Sequence, residues 1–373
     1  MNEPLHAFRE YESFSSAGRF VAVAALVLVH ALVSPAQTPG RQSHEFLLKY
    51  AHFSPTEFLA AERGQTIAKI LPTKVETEVA AFGMVSVQVP VEYFVERLRD
   101  IESFKRSPEV VEIGRFASTP RLEDLERLTI DPVDLAALKR CRVGDCDVKL
   151  TSEMIENIRR EEPMDSERVA ALYRRMLVDY VRSYLKAGNA ALATYHDKRS
   201  AFRLGDEFRS LLEASPYLKE YVPEFGKHLE QFAEARSRDS EDFIYWSKEK
   251  WGLKPVVSIT HVTIHRPPRG DPRPILVASK QIYASHYFTS SLGLAAFFES
   301  PGGSTGCRTY LMYLNRSRAD LLGGGVLSAL IRAIVKRRVR SGLEKNLQLT
   351  RERLERDYRQ AARSAMVNSK EKK

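Results

Sequence analysis

Cysteine is scarce in this chain, with three in 373 residues at Cys141, Cys146 and Cys307, far too few for a small fold stapled by disulfides. Long apolar runs are scarce too. The longest, Phe20 to Val33, is FVAVAALVLVHALV, short of the roughly 20 residues a helix needs to cross a bilayer, and a polytopic membrane protein is excluded. No Walker loop, dinucleotide fingerprint or H-E-x-x-H pair occurs, and no internal repeat is visible. The common nucleotide and zinc-hydrolase signatures are therefore missing. What is present, 43% hydrophobic and 28% charged residues, supplies a core for one large domain or two ordinary ones and excludes disorder.

The apolar run follows Arg19 and precedes Ser34-Pro35-Ala36-Gln37. A cation, a short apolar stretch and small residues before a cut read as a secretory signal, residues 1–36, cleaved after Ala36. Glu3, Glu10 and Glu12 make its leading segment more acidic than usual, and a buried helix or an uncleaved anchor is the alternative. The expected location is the periplasm or the secreted fraction. Export favours oxidised thiols, so Cys141 and Cys146, flanking Gly144-Asp145 in CRVGDC, are expected to form a local disulfide, with two free thiols as the alternative. No second cysteine pair or nearby histidine completes a metal site, and no metal or cofactor is expected.

Residues 37–74 form a polar extension. From 75 to 89 the chain alternates, with Val75, Thr77, Val79, Ala81, Val85, Val87 and Val89 on one side and Glu76, Glu78, Ser86 and Gln88 on the other, a half-buried strand. Pro90 suits a first helical turn, and Phe94, Leu98, Ile101 and Phe104 follow at helical spacing. Val110 to Phe116 is a second strand. Charged segments of helical period, punctuated by prolines, fill 119–253. The clearest helix is Val169 to Leu185, stopped by Gly188-Asn189. Four β runs follow at 256–265, 275–284, 287–299 and 308–315; two of their connections, RPPRGDPRP and SPGGSTG, are rich in turn formers, and an antiparallel meander is the simplest arrangement. A long helix closes the chain over about 326–362, and 357–373 is a basic tail.

This order of strand, proline, helix, strand, antiparallel meander and closing helix resembles the START-like (SRPBCC, helix-grip) superfamily, as does the text VSVQVPVEYFVERLRDIESFKRSPEVVEIGRF. The resemblance covers 75–118 and 254–356, interrupted by a largely helical insertion at 119–253. It implies an α+β fold in which a curved antiparallel sheet grips the long C-terminal helix. It also implies a cavity between sheet and helix for a hydrophobic or lipid-like molecule, as in carriers and in cyclase relatives.

Individual residues add candidates. Gly302-Gly303-Ser304-Thr305-Gly306 matches G-x-S-x-G, but a nucleophile elbow needs a strand before the serine and a helix after it; here turn formers precede and a strand follows, so a hairpin loop is expected. His261 and His265 lie about 13 Å apart along a strand at ~3.3 Å per residue, too far to share one ion. His286, with Lys280 and Tyr283, is the candidate for acid–base work. Alternation places Tyr283 with Val277, Ser279 and Gln281 and places Lys280 with Leu276, Ala278 and Ile282. Tyr245, Trp246 and Trp251 wall a pocket or anchor the insertion. In the closing helix the line Leu327, Ile331, Ile334, Arg338, Gly342, Lys345, Leu349 brings Arg338 to an anionic ligand group unless the buried stripe is Val335, Val339, Leu343, Leu347. Gly323-Gly324-Gly325 precedes that helix as a hinge or an anion site, and Asn315-Arg316-Ser317 is a glycosylation sequon by pattern. The expected ligand contacts are Tyr283, His286, Tyr313, Arg338 and Trp246.

The formal charge is +9, and all of the excess lies in 332–373, which hold 14 Lys and Arg against 5 Asp and Glu. The rest of the chain is neutral, so nucleic acid is not expected as a partner. A hydrophobic small molecule and an anionic membrane surface are the expected partners, as a carrier, as an enzyme using the same cavity, or as a peripheral envelope protein.

Overall fold

Residues of period-two pattern dominate the second half of the chain, and they make one sheet. The computed structural model describes residues 39–371 apart from 162–164, 235–236, 251–252, 269–270, 272, 302–306 and 324–327, and, of side chains, also leaves out 39–42, 300, 301, 307 and 365–371. The signal segment, Trp251, the G-x-S-x-G match, Gly324-Gly325 and the Cys307 side chain lie outside the described residues.

Two helices, α1 (Pro39–Lys49) and α2 (Pro55–Glu62), lead into strand β1 (Ile67–Leu71) and strand β2 (Glu78–Val87). Ser54 and Glu57 close a reciprocal capping box at α2. Pro90 ends β2 and starts α3 (Val91–Arg99), which passes through Asp100 into α4 (Ile101–Phe104) and β3 (Val110–Arg115). Between β3 and the next long strand lie α5 (Pro132–Arg140), α6 (Ser152–Arg159), α7 (Ser166–Ala187), a short ribbon of β4 (Thr194–Tyr195) and β5 (Phe202–Arg203), then α8 (Leu204–Glu213), α9 (Tyr217–Tyr221) and α10 (Pro223–Glu230). Strands β6 (Ser240–Glu249), β7 (Val256–His265), β8 (Ile275–Ala284), β9 (Phe288–Pro301) and β10 (Cys307–Ala319) follow, and α11 (Ser328–Glu371) closes the chain.

Eight strands form one antiparallel sheet in the order β1-β2-β10-β9-β8-β7-β6-β3. The protein is thus α+β, with a large antiparallel sheet and a C-terminal helix. Strands β7 and β8 begin and end where their β-rich runs and the turn-rich connection between them put them. Strand β6 does not: FIYW falls within the expected helical insertion, yet β6 pairs along ten positions with β7. Its two faces are both buried, Phe243 and Tyr245 on one and Ile244 and Trp246 on the other, so the amphipathic alternation that marks a half-exposed strand is missing.

Strand β2 is likewise buried on both sides rather than half-buried. Val85 and Val87 pack towards α3 and α11, while Ala80, Phe82 and Met84 pack towards α1 and the helices between β3 and β6. Glu78 survives burial because Arg316 and Arg318 meet it. Helix α7 ends where Gly188-Asn189 predicted. Gly188 holds φ +59°, and a Cβ there would lie 1.6 Å from the Phe232 carbonyl oxygen. Cys141 and Cys146 are joined as a disulfide across a turn in which Gly144 takes φ +86°. Such a short loop stabilises by about 2 kcal/mol on chain-entropy grounds.

Helix α11 packs through Val335, Val339, Leu343, Leu347 and Leu354, the stripe spaced mainly by four. The line through Ile331, Ile334 and Arg338 is exposed. Against β2 the approach is close: a Cβ on Gly83 would sit 2.4 Å from the Leu347 Cδ1 and 3.2 Å from Leu343. No helix among the described residues is long and apolar enough to cross a membrane.

Candidate functional site

Two register rows of the sheet build the floor of an apolar cavity. Phe82, Leu314 and Leu294 are direct cross-strand neighbours in one row, and Met312, Ala296 and Leu276 in the next. Ala296 stands between two long side chains in its row, and the floor dips there. Phe46 of α1 and Tyr217, Leu218, Tyr221, Val222 and Phe225 of α9 and α10 close the roof, with Arg273, Pro274 and Ser43 also in the lining. Phe46 and Tyr50 meet Tyr217 and Tyr221 edge to face, with centroids 5.3–6.3 Å apart, so the roof is a keyed aromatic contact. The cavity holds about 110 Å³, near the ~150 Å³ at which an apolar engineered cavity stays dry and admits a benzene ring.

Polar groups are few here. Arg273 is paired with Asp271 at 2.8 Å and is held above the usual guanidinium range by that partner. Burial pushes the Tyr221 phenol up to about 12, so it stays a neutral hydroxyl across the physiological range. The lining can exclude water from a small apolar body.

A second cluster lies on the same face of the sheet, deeper and closed. Lys280 Nζ donates to the Tyr184 hydroxyl at 3.0 Å and to Asn189 Oδ1, and it lies 4.0 Å from the Phe208 ring centroid. Tyr184 meets His261 Nδ1 at 2.8 Å, and His261 Nε2 meets Asp242 Oδ1 at 2.9 Å. The same oxygen takes His228 Nε2 at 3.2 Å and the Thr263 hydroxyl at 2.6 Å. Because Lys280 donates to the Tyr184 oxygen, the phenolic proton points to His261 Nδ1, which assigns the His261 proton to Nε2. Burial drives Lys280 well below its ordinary range and Tyr184 well above, and it also lowers His261. Burial alone would raise the Asp242 carboxyl, but hydrogen bonds from His228, His261 and Thr263 outweigh it and hold it below the usual range.

The sequence-derived candidates are dispersed by the fold. Lys280 belongs to this closed chain. Tyr283 donates to the Lys149 carbonyl at 3.0 Å and shares a 2.8 Å hydrogen bond with Tyr173 of α7. It faces the helices, not the side of Ser279 and Gln281. The cause is a register shift: Thr260 pairs with Gln281 while Ile259 pairs with Tyr283, and the extra residue turns Tyr283 over. His286 Nε2 lies 3.1 Å from both oxygens of Asp134 and ties α5 to the sheet. Trp246 is fully buried and donates to the Asp124 carbonyl at 2.8 Å, an anchor for the inserted chain. None of these four lines the cavity. Tyr313 is half-buried on the α11 side, above Gly293, and Arg338 is exposed. Asn315 is held within β10 by Ser291 and Ser317, which leaves the sequon in a strand and not in a loop.

The space expected between sheet and closing helix also differs in character. On that face the rows carry Tyr313, Asn315 and Ser317 of β10, Ser291 of β9, Ser279 and Gln281 of β8, and Thr260 and Ser258 of β7. Helix α11 packs on the β1–β2 end of the sheet, and beyond it this face is mixed, the polar rows lying beside Phe243, Val262, Ile264, Ile275, Val277 and Phe297, which pack with α3.

The cavity residues escaped the sequence reading, although Tyr217, Tyr221 and Phe225 recur every four residues and Leu294, Ala296 and Phe298 every two. Those two periods mark faces. That the faces meet each other and Phe46 is a long-range fact that no local pattern encodes. Compared with protein-family models, with curated proteins and with solved structures, the chain finds no match in any of the three.

Proposed function

We propose that this chain is an exported binding or carrier protein that holds a hydrophobic or lipid-like small molecule, seated in the cleft between the sheet and helices α1, α9 and α10. The observation that carries the reading is the cleft itself: aromatic and aliphatic walls, a floor dipped at Ala296, and Arg273 beside Asp271 in the lining. Ligand sites of this kind are concave, largely apolar and supplied with few polar groups. Such a lining favours an aryl or short alkyl body over a sugar or a nucleotide. Export is supported by the Cys141–Cys146 bond, which persists in oxidising compartments, and by the apolar segment at 20–33 with its small residues at the cut.

The START-like reading is retained as part of this proposal. Strand β2 lies beside the last strand, β3 lies at the far edge, and the intervening order runs β10 to β6, the arrangement that a helix-grip fold requires. The ligand position is moved relative to that family's expectation, from the α11 side to the opposite face.

The test is a titration with an environment-sensitive naphthylamine probe. The wild-type chain is expected to bind it saturably, and Ala296→Phe, which fills the dip, to weaken binding by at least about tenfold, the scale of one lost apolar contact group at ~1.4 kcal/mol. Its thermal midpoint should stay within a few degrees of wild type, as expected for an overpacking cost near 1 kcal/mol. Unchanged probe affinity in a folded Ala296→Phe variant contradicts the assignment of the cleft.

A further inference from the structure

Helix α11 turns a face to solvent that is apolar at one end and basic along the rest. Leu330, Ile331 and Ile334 are 59%, 38% and 45% exposed, although Val335 and Val339 just beyond them are packed. Continuing at the three- and four-residue steps that stay on one side of a helix come Arg337, Arg338 and Lys345, and further on Arg356, Arg359 and Arg363, all exposed, with Leu349 and Glu352 exposed among them. The ion pairs of this helix fall on Arg332, Arg351, Arg356 and Arg359. Arg337, Arg338 and Lys345 have none among the described residues.

Three exposed aliphatic side chains next to a run of unpaired cations fit an acidic lipid surface. A second copy fits less well, because a helix-on-helix seam needs apolar residues sustained over several heptads, and beyond Ile334 this face would set cation against cation. We propose that α11 docks on an anionic phospholipid surface, with Leu330, Ile331 and Ile334 entering the acyl boundary and Arg337, Arg338 and Lys345 meeting the head groups. The proposal is independent of the cleft: it concerns the outer face of α11 alone.

The experiment is flotation of the full chain with vesicles of phosphatidylcholine alone and of phosphatidylcholine mixed with phosphatidylglycerol. The apolar run at 20–33 can bind either bilayer, so the reading is the difference between the two. Binding to the mixed vesicles is expected to be stronger and to weaken as salt rises. Replacing Arg337, Arg338 and Lys345 together by Gln removes three cations at ~1 kcal/mol each, a loss on the order of a hundredfold in the anionic preference. Ile331→Ser with Ile334→Ser should weaken mixed-vesicle binding without changing its salt dependence. Equal flotation with both vesicles, or an anionic preference that survives the triple substitution, overturns the proposal. So does a wild-type dimer in sedimentation that the two serine substitutions dissolve, which would assign the face to a second copy.

Discussion

Glu78→Ala is expected to destabilise the protein by about 3–5 kcal/mol, the range for removing one partner of a buried ion pair. Glu78 is 2% exposed. Its Oε1 accepts from Arg316 at 2.5 Å, and its Oε2 accepts from the Nε and Nη2 of Arg318 at 3.0 Å each. Arg318 also reaches Glu207 at 2.8 Å and Ser210 at 3.0 Å on α8. One buried guanidinium therefore joins two sheet strands to a helix that packs on them. Without Glu78, Arg316 loses its carboxylate and Arg318 keeps half of its fork satisfied. A urea midpoint measured for Glu78→Ala, with Arg316→Ala and the double variant to complete the cycle, checks this. If the single substitution costs under about 1 kcal/mol, the value of an exposed pair, the cluster does not hold the layers together.

Lys280→Met is expected to stabilise the protein at neutral pH, and by less as pH rises. Lys280 is buried with no carboxylate at ion-pair distance among the described residues, and burial depresses its ammonium. The unfolded chain keeps a lysine protonated up to about pH 10.4. Between the depressed folded value and that limit the unfolded state binds the extra proton, so wild-type stability rises with pH across that window. Methionine carries no proton in either state. It forfeits the hydrogen bonds to Tyr184 and Asn189, which offsets part of the gain but leaves its sign and its pH dependence unchanged. The check is the difference between the two proteins' unfolding free energies at pH 7.5 and pH 9.5, roughly the window set by the unfolded value. Taking a difference cancels the tyrosines and histidines common to both. A difference that is flat or grows with pH would mean Lys280 is charged and compensated in the fold.

How far such features can be read in advance depends on how local their cause is. Strands β7 and β8 are legible because two β-rich runs are set apart by the turn-forming stretch RPPRGDPRP. The closing helix is legible from its period, and the stop at Gly188 from a residue type that alone tolerates the required backbone and the nearby Phe232 carbonyl. Strand β6, buried on both faces like β7, is hidden because it follows the charged stretch AEARSRDSED without a turn-rich boundary and reads on as part of the insertion. Tyr283 is misplaced by simple alternation because one inserted residue in β8 reverses every side chain after it. Lys280 reads as a candidate catalytic amine, yet Tyr184 and Asn189, which hold it, lie about ninety residues earlier in the chain. The cleft is hidden for the same reason. Its helices each show an apolar face, but the partner of each face is set by topology.

The claim on which the functional reading rests is that the cleft beneath α1, α9 and α10 holds an apolar ligand. Native mass spectrometry of the purified chain, with organic extraction of what co-purifies, tests it most directly. The account predicts a near-stoichiometric adduct of a small hydrophobic or lipid-like molecule that is lost from Ala296→Phe. A wild-type chain that remains free of adduct after incubation with a mixed lipid extract, or an adduct equally retained by Ala296→Phe, would contradict it.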